Sequence, residues 1–348
     1  MLKPSSYYLR NPDIIAVGTA GCYLFIDPRG MVFPFTTSST AAWSVLLQEL
    51  MQPMDGETFR ARLAGLAKAD TEMSLSMLEN GLLLTGADHD ELCERRAVIL
   101  TDNQAYHLEH REPVCEHLVV AVTGSIVAGL MAPAILSLAF CGHQRQLDLI
   151  LTETALKFTT RNFFESYGIR TWVNPFERRD GINVAHVSLG GSANCILVMP
   201  ATANALCRIA DGACTDLLGL TVAATTAPVV LIPAMNAAMW NSAAVQRNVA
   251  RLRDDGMYVV EPSLIFKATS VTEGNTMYGG PGTLWRGPLG LMQTLSAVRA
   301  HKQNRSPRHA NSARLGADAD GRERTHQIWP CAGIVNVRQI ADAGCHAT

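Results

Sequence analysis

The sequence lacks a strong excess of charge of either sign. Its 29 lysine and arginine residues are balanced by 31 aspartate and glutamate residues, so the formal net charge is −2. Proteins that bind nucleic acid through its phosphates carry a basic surplus instead. The nine cysteines stand singly, without a CxxC pair or metal-ligand spacing. These absences argue against a nucleic-acid partner and a metal site, and the scattered cysteines predict a reducing, cytoplasmic compartment.

The sequence also lacks a clear signal peptide or membrane helix. The N-terminus has no apolar run. Residues 118–142 and 217–245 are uncharged and long enough to span a bilayer, but small polar residues interrupt both and neither has a basic cluster on one side. We therefore interpret both stretches as strands buried on two faces, and we expect no membrane association.

Residues 1–85 are predicted to form a small winged-helix-like α+β domain. Apolar runs at 22–26 and 31–35 have the pattern of strands joined by a turn. Ser39 can cap the first of three helices that follow. Residues 86–117 are charged and irregular, and we interpret them as a linker that can contain some local structure.

Residues 118–300 change to alternating strands and helices. Four apolar runs are each followed by small or polar residues and then by a helical pattern: 119–122, 147–151, 196–199 and 229–232. This alternation predicts an α/β fold, a flavodoxin-like or Rossmann-like parallel sheet with helices on both faces. Residues 301–348 show no periodicity and are predicted to be a disordered tail.

The turns after these strands indicate a phosphate site. Ligands of doubly wound sheets bind at the carboxyl ends of the strands, where helix N-termini attract anions. No GxGxxG follows the first strand and there is no Walker lysine motif, which disfavours NAD and ATP. A mononucleotide phosphate fits the threonine- and serine-containing turns better, although each single turn is also an ordinary helix cap.

One motif is more specific. Residues 233–240 read PAMNAAMW and resemble the PxMNxxMW motif of flavin-dependent cysteine decarboxylases. That family includes phosphopantothenoylcysteine decarboxylases and the peptidyl-cysteine decarboxylases of lantibiotic maturation. Further matching segments lie in the same order along the chain, over about residues 118–285: 123–125, 154–158, 185–189, 200–204 and 210–218.

The resemblance implies FMN bound between subunits of a trimer or larger homo-oligomer, and the motifs alone do not separate FMN from FAD. His186 would be the catalytic acid/base, and Asn236, with Met235 beside it, would hold the substrate carboxylate. The alternatives are a core histidine in an apolar strand, a helix-capping asparagine and core methionines. The implied flavin contacts are Gly124, Ser125, Thr154, Phe158, Pro200, Ala201, Thr202, Ala203 and Met239.

The stretch 268–281 would correspond to a substrate flap, with Thr272, Gly274 and Asn275 as substrate contacts. The pantothenate branch usually carries a cysteine there, and this stretch has none. The resemblance therefore favours oxidative decarboxylation of the C-terminal cysteine of a ribosomally made precursor peptide, giving an enethiol. Phosphopantothenoylcysteine decarboxylation in coenzyme A biosynthesis and a non-catalytic flavin-binding regulatory subunit remain the alternatives.

Residues 1–85 resemble, more weakly, the PqqD-like domains that recognise leader peptides. Such domains bind a leader as an added strand, here between the strand at 31–35 and the helix predicted at 71–80. A DNA-binding winged helix is disfavoured because residues 1–115 hold 9 basic and 15 acidic residues. A packing or oligomerisation domain is the remaining alternative.

Overall fold

A long mixed sheet forms the centre of the molecule. The computed structural model describes residues 3–28, 30–66, 74, 76–101, 115–141, 144–266, 276–279, 287–305 and 335–336. The described strands are β1 (Tyr7–Arg10), β2 (Ile15–Thr19), β3 (Cys22–Ile26), β4 (Met31–Thr36), β5 (Met54–Asp55), β6 (Leu83–Gly86), β7 (His117–Val122), β8 (Gln146–Leu151), β9 (Arg170–Trp172), β10 (Cys195–Ala201), β11 (Val229–Asn236), β12 (Tyr258–Val260), β13 (Ser263–Phe266), β14 (Thr276–Gly279) and β15 (Val335–Asn336).

Helices cover the sheet. Those described are α1 (Thr40–Glu49), α2 (Gly56–Ala64), α3 (His89–Thr101), α4 (Ala132–Cys141), α5 (Arg161–Glu165), α6 (Ala185–Ser192), α7 (Ala203–Ala210), α8 (Leu217–Ala223), α9 (Ala237–Trp240), α10 (Ala243–Asp254) and α11 (Gly287–Arg305). No helix in these described ranges is long and apolar enough to cross a membrane.

The parallel half of the sheet is the predicted α/β fold. Its strands lie in the order β9-β8-β7-β10-β11-β12, all parallel, which is the 3-2-1-4-5-6 order of Rossmann-type sheets. β7 is buried along its whole length, with Val120 in the core of one face and Val119 in the core of the other. Strands buried on both faces need continuous apolar runs. The predicted fold class is therefore confirmed.

The N-terminal strands extend the same sheet. β2 pairs antiparallel with β12, and β3 and β4 continue outward from β2. A second sheet, in the order β5-β1-β6, packs with α1 and α2 around a core that contains Trp43 and Phe59. The division of the chain at residue 85 stays a prediction, but the sheet is continuous across it.

Two segments that were predicted to be irregular contain described helix or strand. α3 lies inside the predicted linker 86–117, where acidic Asp90 and Glu91 in its first turn suit a helix N-terminus. α11 runs past residue 300, and β15, within the predicted tail, pairs with β4. The helix predicted at 71–80 is described only in part. The rest of the tail lies outside the described residues.

Candidate functional site

A polar cleft lies where the carboxyl ends of β7, β8 and β10 meet. β7 and β10 are neighbours at the point where the strand order reverses, which is where doubly wound sheets bind ligands. The cleft is lined by threonine hydroxyls, three other polar side chains and a few apolar residues: Thr123, Thr152, Thr154, Thr202, Asn204, Ala205, Arg208, Ile209, Asp216, Leu218 and Gly219.

Thr123 joins the two central strands at the floor of the cleft. Its Oγ1 donates to the carbonyl oxygen of Pro200 at 2.7 Å and accepts from the backbone N–H of Thr202 at 3.1 Å. The residue is 2 % exposed, so both bonds are shielded from water. Thr123 belongs to the predicted segment 123–125 but was not named as a contact, and nothing local in the sequence indicates its partner Pro200, 77 residues away.

Gly124 brings the predicted first and second flavin segments together. A Cβ atom at this position would lie 2.4 Å from both the Cβ and the Oγ1 of Thr154. Real Cβ atoms do not approach so closely, so only glycine lets the turn after β7 touch the turn after β8. The structure therefore places Gly124 and Thr154 side by side at the cleft.

Thr202 directs a helix N-terminus into the cleft. Its Oγ1 accepts from the backbone N–H of Ala205 at 3.2 Å, and α7 begins at Ala203. Ser125 caps the 3-10 turn after β7 in the same way, through the N–H of Val127 at 3.3 Å. The dipole and first N–H groups of α7 favour an anion at this end of the cleft.

The cation in the cleft is already paired. The guanidinium of Arg208 lies 3.0 Å from Asp216 Oδ2 and also donates to the Thr215 hydroxyl. Asp216 Oδ1 in turn accepts from the N–H of Gly219 at 2.8 Å. The hydroxyls and the N-terminus of α7, rather than Arg208, are therefore the groups suited to a phosphate.

Asn236 ends β11 and caps α9. The side chain is exposed, and its Oδ1 accepts from the backbone N–H of Met239 at 2.8 Å. This is the capping geometry that the sequence left open, and it also fixes the orientation of the amide. Since Oδ1 is occupied, the NH2 group is left as the donor for a ligand.

β11 extends further than its sequence pattern indicated. The strand was expected to end at Ile232, but it continues through Pro233 to Asn236. Its last residues pair with β14, with Met235 opposite Tyr278 and Asn236 opposite Met277. The backbone of β14 therefore lies beside Asn236.

His186 lies on a helix, not on the strand that its apolar neighbours suggested. It is in the first turn of α6, whose five-residue apolar stretch 185–189 is too short to distinguish helix from strand by periodicity. The glycine at 190 lets α6 pack closely, since a Cβ there would lie 2.8 Å from the Thr221 carbonyl oxygen. His186 Nδ1 is buried and has no hydrogen-bond partner among the described residues. Leaving such an atom unpaired costs roughly 1–3 kcal/mol, and a ligand or a second subunit that pairs with it would remove this cost.

Of the other predicted site residues, some are buried in the core and others are exposed. Met235 and Ala201 are buried in the core, which is the alternative given for the methionine. Phe158 and Met239 are large apolar side chains exposed to 43 % and 44 %. Neither His186 nor Asn236 lines the cleft itself. The predicted flap contacts Thr272, Gly274 and Asn275 lie outside the described residues.

Comparison with known proteins identifies the family. A family model described as Flavoprotein matches residues 107–278. Mersacidin decarboxylase from Bacillus sp. (strain HIL-Y85/54728) is 30 % identical over 145 residues, which cover 42 % of this chain and 73 % of that protein. The chain belongs to the Flavoprotein family. This membership confirms the resemblance to flavin proteins and the predicted flavin cofactor.

Other proteins similar to this Flavoprotein chain include a coenzyme A biosynthesis protein and a cysteine decarboxylase. The coenzyme A biosynthesis bifunctional protein CoaBC of Bacillus subtilis (strain 168) is 35 % identical over 118 residues, covering 34 % of this chain but 29 % of that protein. A solved structure of the FMN-dependent cysteine decarboxylase SpaF is 31 % identical, with coverage of 54 % of this chain and 97 % of that one and a TM-score of 0.42. The chain thus spans less than a third of the length of the CoaBC relative.

Proposed function

We propose that this Flavoprotein chain is an FMN-dependent enzyme that oxidatively decarboxylates the C-terminal cysteine of a ribosomally made peptide. The observation that carries the proposal is Asn236, an oriented amide donor at the carboxyl end of β11, on the same edge of the sheet as the cleft at the end of the neighbouring β10. The family membership and the mersacidin decarboxylase relative support a decarboxylase.

The residues of the cleft fit FMN. Thr202 and the N-terminus of α7 would hold the phosphate, with Ser125 beside it, and Gly124 would allow close approach of the turn. Phe158 and Met239 offer exposed apolar surface for the flavin ring. When bound, FMN supplies the acceptor for the two electrons that leave the cysteine side chain.

Asn236 would hold the substrate carboxylate. Its NH2 group donates a hydrogen bond without adding charge, and this favours loss of CO2 because the carboxylate is oriented but not strongly stabilised. An arginine at the same place would stabilise the ionised carboxylate more, and so would oppose its departure. The cysteine-terminated peptide would lose one CO2 and two hydrogen atoms, which FMN would accept, and the enethiol would be the product.

His186 would act as the acid/base that transfers a proton during the reaction. Its buried Nδ1 has no partner among the described residues, so a substrate group or a second subunit can pair with it. The neighbouring Val184 and Val187 are 47 % and 56 % exposed, as expected for a surface covered by another copy of the chain. We therefore propose a homo-oligomer, a trimer or larger, in which subunits meet beside His186.

Residues 1–85 would recognise the leader of the precursor peptide. Among the described residues, positions 33–36 of β4 pair only with β3, which leaves one side of this strand open to an added strand. A fair test compares the full precursor with a peptide that lacks the leader, using the whole chain. Equal kcat/KM for the two peptides would refute leader recognition.

The substrate class is tested by mass spectrometry of products. The purified protein is incubated with a cysteine-terminated precursor peptide and, separately, with phosphopantothenoylcysteine, the alternative that the CoaBC relative favours. Loss of one CO2 and two hydrogen atoms from the peptide supports the proposal. Turnover of phosphopantothenoylcysteine with an unchanged peptide refutes it and supports the coenzyme A reaction. Flavin binding with neither product supports a regulatory subunit.

A further inference from the structure

The N-terminal strands reach the base of the β13–β14 strand pair, which lies on the end of β11. β13 pairs with β14, and β14 pairs with β11 at residues 234–236. β13 starts directly after Glu261 and Pro262, both of which are buried. The position of these two residues therefore sets where the strand pair leaves the sheet and reaches Asn236.

Side chains from residues 1–85 hold the Glu261 carboxylate. The Tyr23 hydroxyl, from β3, donates to Oε1 at 2.6 Å, and the Ser44 hydroxyl, from α1, donates to Oε2 at 3.1 Å. Arg253 of α10 completes the cluster, donating to Oε1 at 2.5 Å. Glu261 and Arg253 are 0 % and 1 % exposed. Removal of one donor from a buried carboxylate is costly, because the charge is left short of a partner.

Tyr23 is suited to this role as a donor. Burial raises the pKa of Tyr23 well above its usual value, so the phenol keeps its proton. The hydroxyl also lies 3.0 Å from the Thr40 carbonyl oxygen, but the single proton goes to the carboxylate, which is the stronger acceptor. The ring lies under the Arg253 guanidinium, 5.6 Å from the centroid.

A second contact fixes the main chain at Pro262. Arg10, on β1, donates to the Pro262 carbonyl oxygen at 3.3 Å and lies within 3.5 Å of the Ile14 carbonyl oxygen. Arg10 is 5 % exposed; burial lowers the pKa of its guanidinium, and the nearby Glu261 carboxylate offsets this effect in part. Both residues at the base of the strand pair are therefore held by the N-terminal strands and α1.

We propose that Arg10, Tyr23 and Ser44 are positioning residues that hold the β13–β14 pair on the end of β11, so that residues 1–85 set the geometry around Asn236. The importance of this geometry for catalysis rests on the proposed function of Asn236. β3, which carries Tyr23, is also the partner of β4. A leader peptide added as a strand to β4 would therefore lie one strand away from β3, whose Tyr23 helps to position the strands beside Asn236, the proposed substrate contact.

The test uses the flavin-loaded full chain and Tyr23→Phe, which removes one hydroxyl and keeps the ring. Tyr8→Phe is the matched control, since Tyr8 is 2 % exposed in the same region and, among the described residues, its hydroxyl bonds to the main chain of Lys3. Tyr23→Phe should raise amide hydrogen exchange at residues 234–236 and 276–279 by about tenfold, as expected for the loss of one bond to a carboxylate. It should raise KM for the peptide by a similar factor, with bound flavin unchanged.

The control variant should leave exchange, KM and flavin content at wild-type values. Arg10→Ala provides a second, independent variant with the same expected exchange, and Arg10→Lys should restore part of the protection. Wild-type exchange at both segments in Tyr23→Phe and in Arg10→Ala would overturn the proposal and leave these contacts as packing alone. The exchange measurement needs no turnover, so a chain that decarboxylates no peptide would refute the proposed function without deciding this inference.

Discussion

Gly124 offers the sharpest test of the cleft as a flavin site. In Gly124→Ala the new Cβ atom would lie 2.4 Å from Thr154 Cβ, whereas ordinary contact begins at 3.4 Å. The turns after β7 and β8 must therefore separate by about 1 Å. Overpacking of this kind costs roughly 1–3 kcal/mol. Since both turns lie at the cleft, we expect FMN affinity to fall by about 10- to 100-fold.

Titration of the apoprotein with FMN, followed by quenching of flavin fluorescence, measures this change. Gly191→Ala is the matched control, because it lies inside α6 and a Cβ there would meet no atom within 4 Å from the rest of the described chain, its own helix backbone aside. That variant should bind FMN normally. The double variant Gly124→Ala with Thr154→Gly removes the two closest atoms, Cβ and Oγ1 of Thr154, and leaves the backbone carbon at 3.1 Å, so it should recover part of the lost affinity.

Wild-type affinity in Gly124→Ala would refute the reasoning, since it would mean that FMN does not touch either turn. Equal losses in Gly124→Ala and Gly191→Ala would also refute it, because the effect would then be general rather than local to the cleft.

Three further predictions follow from single residues. Asn236→Asp keeps the oxygen that caps α9 but replaces the NH2 donor by a negative charge, so FMN should stay bound while kcat/KM for the peptide falls about 100-fold or more. His186→Asn should likewise retain FMN and lose turnover, and a chain whose CO2 release is unchanged would not use this histidine. Burial alone would raise the pKa of Asp148, but hydrogen bonds from Arg170, His117 and two other side chains hold it well below its usual value. The group therefore stabilises the fold above its unfolded pKa of about 3.9, and this contribution is lost as the pH falls below that value. Thermal unfolding of Asp148→Asn against pH checks this, since the variant should be less stable at neutral pH and lose less stability on acidification.

The sequence predicted the parallel half of the fold well for a physical reason. β7 and β10 are buried along their whole length, and β8 and β11 along most of it, so their continuous apolar runs are visible without any knowledge of their neighbours. The small residues after them mark the carboxyl edge of the sheet, and the PAMNAAMW stretch placed Asn236 at a strand end. That placement follows from local pattern alone.

The features that the sequence did not reveal depend on partners that are far apart along the chain. Tyr23 and Glu261 are 238 positions apart, and nothing local distinguishes this buried carboxylate from an exposed one. The pairing of β2 with β12 joins residues that are equally far apart along the chain, so local pattern did not reveal that the sheet continues across residue 85. His186 was expected on a strand because a short apolar run does not reveal its period.

The central claim is that cysteine oxidation at FMN accompanies loss of CO2. The most direct measurement is a single turnover without oxygen, in which the flavin-loaded protein is mixed with one equivalent of a cysteine-terminated peptide. The visible absorbance of the flavin and the released CO2 are recorded together. The account predicts one reduced flavin and one enethiol peptide for each CO2. Release of CO2 with the flavin still oxidised would contradict it.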